Sequence, residues 1–324
     1  MKSLYHQIIY NLKRIRDYQK IYSNWFDVIL QRRRRKERIF VKLKDGSSGL
    51  CNTKYVGALV DLIELVSDLD PMKLHFQGDQ LYYGSVRLIT DTPGSIILSA
   101  LSWIKKDNYW YYPRYNVKFL EGNEFVLFET FVEEQYNVDV NGEVVDVGAN
   151  IGDSSIYFAI KGAKKVLAFE PLPSVYQVAL ENVKLNKLEN VITLVNAGVG
   201  SSDGVIKVPS TIDLDESGGF HVSGQGDAEV PVYSLKRIRG MVKDPYLLKM
   251  DCEGCEVDVI LNSEDIDFEK IIFEHHAFLT NVPYKRLTRK LEEEGYACGK
   301  PRQIHDPNYV DPNYVGVITC EKRR

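Results

Sequence analysis

The stretch VVDVGANIGDSS, Val144 to Ser155, decides how this chain is read. Valines on both sides of a single acid, Asp146, describe a short strand buried on both faces. Gly148 and Gly152 then mark a tight turn where a side chain would be in the way. Asp153, Ser154 and Ser155 are suited to cap the segment that follows, SSIYFAIKG, whose apolar spacing is helical. A strand, a glycine turn and a helix N-terminus together bring backbone amides to a ligand.

Outward from that turn the chain keeps an alternating rhythm from about residue 116. Strand-like EVVDVGAN, KVLAFEP, VITLVNAG, YLLKMD and KIIFEHH are separated by helical stretches such as SVYQVALENVKLN and YKRLTRKLEEEG, and YACG and VGVITC close the series. Such a series predicts a mostly parallel sheet with helices on both faces. Residues 201–232 interrupt it with a polar insertion rich in Gly, Ser and Asp, the composition of a lid or substrate loop. The tandem DPNYV, Asp306 to Val315, is turn chemistry leading into the last strand. It is similar to the D-P-P-Y motif of methyltransferases acting on amino groups of nucleic acid, but has Asn for the second Pro and the wrong place in the series.

Residues 1–115 lack this rhythm. Amphipathic helical spacing over the first 36 residues is followed by an alternating Ile39, Val41, Leu43 and Asp45-Gly46, which predict a hairpin. A short helix over GALVDLIELVSDL and strands near Tyr82 and Val86 complete a small α+β accessory domain.

The chain has 324 residues, is 44% hydrophobic and 27% charged, and carries a net charge of −4, as expected of two globular domains. The first 40 residues hold eleven Lys or Arg against three acids, densest in RRRRK, Arg32 to Lys36. That arm could touch an anionic surface, while the acidic remainder makes nucleic acid an unlikely partner. No apolar run reaches the roughly 18 residues of a membrane helix, and the N-terminus has no signal-peptide pattern. Five cysteines, an odd number, argue against a disulfide framework. A cytoplasmic protein with reduced thiols is the expectation.

Two ligands compete for the glycine turn. A dinucleotide wants G-x-G-x-x-G, and here Asn150 stands where the middle glycine would be, which argues against a nucleotide-cofactor oxidoreductase. S-adenosylmethionine needs less clearance, together with an acid for its ribose. Glu170, at the end of the strand in LAFEP, is twenty-two residues beyond Gly148. In LLKMDCEGCE, Lys249 and Asp251 end a strand, with Glu253 and Glu256 opening the next helix. Asp251, Glu253, Glu274 and His275 are the candidates for acid–base work, and Glu256 reads as a helix-surface acid. Cys252-x-x-Cys255 has the spacing of a thiol oxidoreductase, but flanking acids disfavour a thiolate. No second pair completes a zinc site. A divalent cation on Asp251, Glu274 and His275 is a weaker alternative, and no metal is assigned.

VVDVGANIGDSSIYFA, VLAFEPLPSVYQVALENVKLN, VNAGVG, LLKMDCEGCEVDVI and IIFEHH, in this order, resemble the FkbM family of S-adenosylmethionine-dependent methyltransferases over residues 116–324. The resemblance implies the class I methyltransferase (Rossmann-like) α/β fold, a seven-stranded mostly parallel sheet with its last strand antiparallel. It also implies that Asp146, Gly148, Asn150 and Gly152 form the methionine pocket, that Glu170 holds the ribose, and that Asn196 and Ala197 flank the adenine. The expected activity is O-methylation of a sugar, glycan or similar small acceptor, with Asp251, Glu253 and His275 at the reacting centre. The alternative is a non-catalytic module that keeps the cofactor pocket.

Overall fold

A computed structural model describes residues 2–66, 69–221, 224–264, 266–302 and 315–323. Contacts divide the chain into Met1–Asn116 and Val117–Arg324. The DPNYV tandem lies, except for Val315, outside the described residues.

The first unit is α+β. Helices Lys2–Ile21 and Trp25–Arg33 precede an antiparallel hairpin of Arg38–Lys42 and Ser48–Asn52. The hairpin's period-2 alternation turns Ile39 and Val41 inward, where they are fully buried. Asn52 then caps helix Thr53–Leu65 by accepting from the Lys54 N–H at 3.0 Å. Three short strands, helix Pro93–Ala100 and a strand pair near residues 104–112 follow. Arg32 to Lys36 are exposed, and Arg32 donates to the Tyr18 hydroxyl.

The second unit is built on seven strands: β1 Glu143–Val147, β2 Lys165–Phe169, β3 Ile192–Val195, β4 Pro245–Met250, β5 Lys270–His276, β6 Tyr296–Cys298 and β7 Val315–Lys322. Their order is β3-β2-β1-β4-β5-β7-β6, with β7 antiparallel to both neighbours and the other contacts parallel. The order reverses between β1 and β4, so a crevice opens beyond their C-terminal ends. Helices used below are α1 Glu124–Phe131, α2 Asp153–Ile160, α3 Pro173–Leu185, α4 Cys255–Asn262 and α5 Tyr284–Glu293. Central strands are buried on both faces, which is why they read as continuous apolar runs rather than alternating ones.

Two expectations need correction. The insertion after β3 is partly regular: Gly204–Val208 pairs antiparallel with Ala228–Ser234, which also runs parallel to Gly198–Gly200. The alternation in GVIKV and AEVPVYS supports this pairing, and a 3-10 turn at Leu214–Gly219 is the irregular remainder. The thiols are not all reduced. Cys298 lies directly opposite Cys320 across β6 and β7 and is disulfide-bonded to it, and Cys252 is bonded to Cys255. Counting cysteines cannot see a strand register or a turn that returns two Cα atoms to 5.4 Å. Cys51 is the free, buried thiol. Among the described residues no helix is long and apolar enough to cross a membrane.

Candidate active site

The glycine turn forms as its sequence requires. Gly148 has φ +76°, and a Cβ there would sit 1.8 Å from the Asp251 carbonyl oxygen. Only glycine allows the β1 and β4 ends to approach this closely. Gly152 also has positive φ, +85°, but a Cβ there would meet Ala179 of α3 at an ordinary 3.5 Å. Gly152 is therefore needed for its backbone conformation, facing α3. Asn150 takes a left-handed φ of +47°, and its N–H donates to Glu170 Oε2 at 2.9 Å.

Asp146 does not line the crevice. It is fully buried, its Oδ2 accepts from Ser154 and Ser155 at 2.7 and 2.6 Å, and its Oδ1 pairs with Lys249 Nζ at 3.1 Å. Ser154 and Ser155 thus tie α2 to β1 rather than capping α2. Lys249 Nζ also donates to the Gly148 carbonyl at 2.7 Å, holding the turn from below. Burial pushes the Lys249 ammonium down, but Asp146, Asp251 and Asp153 outweigh it and the net shift is upward. Asp153, the first residue of α2, is buried against Thr130 Oγ1 at 2.6 Å, and burial raises its carboxyl to about 7.

Glu170 directly follows β2, the position from which the sequence expects an acid to reach a ribose. Its Oε1 accepts from the Leu172 N–H and its Oε2 from the Asn150 N–H, both at 2.9 Å. Burial pushes the carboxyl up to about 7, against the pull of those two amides and of Lys249, with Asp146 adding to the rise. Asn196 donates to the carbonyls of Glu170 and Pro171 at 2.8 and 3.1 Å. Ala197 is buried and lines a cavity of about 240 Å³ with Val147, Phe169, Val199, Cys252 and Glu253. A smaller cavity of about 60 Å³ beside it is lined by Asn150, Glu170, Ser217, Phe220, Asp251 and Glu253. An apolar slot beyond β2 and β3, next to a polar one at Glu170 and the turn, fits an adenosine with an amino-acid tail. The residues present therefore suit S-adenosylmethionine: Gly148 lets the β1 and β4 ends meet, the Glu170 oxygens are of a type that accepts from hydroxyls, and Ala197 offers an apolar wall.

The insertion closes over this region. Ser217 Oγ lies 2.8 Å from Asn150 Oδ1 and accepts from Asn123 Nδ2 at 2.8 Å, and His221 Nδ1 is 2.6 Å from the Glu253 carbonyl oxygen.

Beyond the turn, the ends of β4 and β5 gather charge. Asp251 accepts from Tyr136 OH at 2.6 Å through Oδ2. Glu253 sits at φ +53° before Gly254, and its Oε2 is 3.3 Å from His276 Nε2. Glu274 Oε2 accepts from Gln135 Nε2 at 2.7 Å, and its Oε1 is 3.5 Å from His276 Nε2. His276, not His275, faces the carboxylates. His275 points to the opposite side of β5, where it is fully buried, packs against Tyr284 of α5 and has neither ring nitrogen hydrogen-bonded. Burial lowers its pKa to about 4, so the ring is neutral. Glu256 is likewise not a surface acid: it is fully buried and receives the Gly254 N–H at 2.9 Å and the His276 N–H at 3.2 Å.

Burial pushes the His276 ring down, yet Glu256, Glu274 and Glu253 outweigh it and hold its pKa well above the usual histidine range. Burial is also the largest cause raising Glu253 to about 8, opposed by His276 and reinforced by Asp251 and Glu274. Glu274 is raised for the same first reason. Strand alternation alone separates His275 from His276, since Glu274 and His276 are two residues apart and share a face. Gln135 and Tyr136, in the turn after α1, carry no motif that marks them.

The pKa of Glu170 has a binding consequence. Ribose hydroxyls need the ionised carboxylate as acceptor, so cofactor affinity should rise with pH up to about 7 and level off above it. Below pH 7 the slope should approach about tenfold per pH unit, and Glu170→Gln should flatten it. Calorimetric titration with S-adenosylhomocysteine from pH 5 to 8 checks this; an equal slope in both proteins would contradict it.

Residues 146–298 match the model of the methyltransferase FkbM domain. Methyltransferase sdnD of Sordaria araneosa is 27% identical over 221 residues, 56% of this chain and 80% of that protein. Methyltransferase 1 of Beauveria bassiana is 25% identical over 236 residues, 62% of this chain and 90% of that protein. A crystal structure of a methyltransferase FkbM from Methylobacillus flagellatus aligns at 20% identity and TM-score 0.39, covering 59% of this chain. The chain spans about half of that protein's length, 47%. M. capricolum TrmK, solved with S-adenosylhomocysteine, aligns at 14% identity and TM-score 0.38 over 60% of this chain and 68% of its own. These two structural likenesses are weak and add nothing to the strand order described above. The domain built on this sheet thus matches the methyltransferase FkbM domain over residues 146–298, and S-adenosylmethionine is its cofactor.

Proposed function

We propose that this chain methylates a hydroxyl group on a sugar, a glycan or a similar small acceptor, with Glu253 as the base. The observation that carries the reading is the half-buried Glu253 carboxylate, on the cavity wall shared with Gly148 and beside His276. Bound S-adenosylmethionine supplies a methyl group on a sulfonium, whose C–S electron pair leaves with sulfur as the new O–C bond forms. Gly148, Asn150 and Ala197 shape the cofactor's bed, and Glu170 accepts from its ribose. Alignment of the acceptor oxygen is the larger contribution, up to about 7–11 kcal/mol. A hydroxyl also needs its proton removed as it reacts, and the Glu253 carboxylate takes it, an effect of about 10²–10⁴. A carboxyl held near 8 lies in the range where such transfer is effective.

A panel of sugars, oligosaccharides and small alcohols incubated with carbon-13 methyl cofactor tests the reading. Methoxy carbon in the product is expected. Transfer confined to nitrogen or sulfur acceptors would overturn it.

A further inference from the structure

Asp251, Glu274 and His276 each have one polar atom held by a buried neighbour and the other turned to a common point. Tyr136 OH holds Asp251 Oδ2 at 2.6 Å, Gln135 holds Glu274 Oε2 at 2.7 Å, and His276 Nδ1 is 3.3 Å from Glu256 Oε1. The three holding side chains lie outside the trio, and Glu256 is fully buried. With Nδ1 engaged, His276 presents Nε2, which is also 3.3 Å from Glu253 Oε2, in the arrangement in which an outer carboxylate orients a metal-binding imidazole. Nε2 is 4.0 Å from Asp251 Oδ1 and 3.5 Å from Glu274 Oε1, and one ligand atom from each residue lies within 4.8 Å of the others. Ligands bound about 2.1 Å from an octahedral ion lie about 3.0 Å apart in cis and about 4.2 Å in trans, so little movement is needed.

We propose that Asp251, Glu274 and His276 bind a divalent cation of the manganese or magnesium class. Two carboxylates with one imidazole, open on one side, suit such an ion better than a closed tetrahedral zinc site. Asp251 borders the smaller cavity, which gives the ion a way in. There the ion would hold the acceptor oxygen in place, a role that rests on the hydroxyl reading, whereas the site itself does not.

The test uses the full chain and Mn²⁺ alone, without cofactor or acceptor, followed by electron paramagnetic resonance and calorimetry. One equivalent should bind, and Glu274→Gln should weaken it at least tenfold. Tyr136→Phe and Gln135→Met keep all three ligands and should weaken it about 10- to 100-fold through lost orientation. They decide the matter should the Glu274 variant not fold. No stoichiometric binding, meaning that the cluster is an ion-paired imidazolium only, would overturn the proposal, as would equal affinity in all variants. Mn²⁺ binding with transfer only to nitrogen keeps the site and removes the hydroxyl reading; O-methylation with no cation bound does the reverse.

Discussion

Gly148→Ala should weaken S-adenosylmethionine binding by more than about 100-fold, roughly 2.7 kcal/mol. The added methyl would sit 1.8 Å from the Asp251 carbonyl oxygen, well inside contact distance, so the β1 and β4 ends must separate. Both walls of the cofactor's bed move with them, and Lys249, which donates to the Gly148 carbonyl, loses its anchor. Gly152→Ala is the control. Its methyl meets Ala179 at 3.5 Å, so only the left-handed backbone is strained, at about 1–2 kcal/mol. That substitution should lower the melting temperature while changing cofactor affinity less than about tenfold. Calorimetry on folded variants separates the two, and wild-type affinity in Gly148→Ala would contradict the site.

Glu253→Gln should lower single-turnover methyl transfer by about 10²–10⁴ and leave cofactor affinity within a few fold. The amide keeps the size and an acceptor oxygen but cannot take a proton at neutral pH. His275→Ala should leave the transfer rate nearly unchanged and lower stability, because the ring packs on Tyr284 away from the carboxylates. A full rate in Glu253→Gln together with a lost rate in His275→Ala would reverse the two assignments.

The fold was legible because its central strands obey a simple rule. Buried on both faces, they appear as unbroken apolar runs, and the turn after β1 needs glycine for steric reasons that no neighbour can relax. The place of Glu170 beside the turn was legible for a related reason, since an acid at the end of the second strand has a fixed relation to that turn. Burial and pairing were harder to read. Asp146 and Glu256 look like acids available to a ligand or to solvent, yet their carboxylates are taken up by Lys249 with two serines, and by His276 with Gly254. Those partners come from other elements, and local sequence does not reveal them. His276 was within reach, because period-2 alternation puts it on the face of Glu274 and puts His275 on the other. The Cys298–Cys320 disulfide and the Gln135–Tyr136 contacts depend on long-range register, which one sequence does not display.

The most direct measurement of the central claim is a crystal structure of the full chain with S-adenosylhomocysteine. The ribose hydroxyls should lie on the Glu170 carboxylate, the adenine against Ala197, and the side of the sulfur that carried the methyl should face Asp251, Glu253 and His276. A ribose placed away from Glu170, or a sulfur turned from those three side chains, would contradict it.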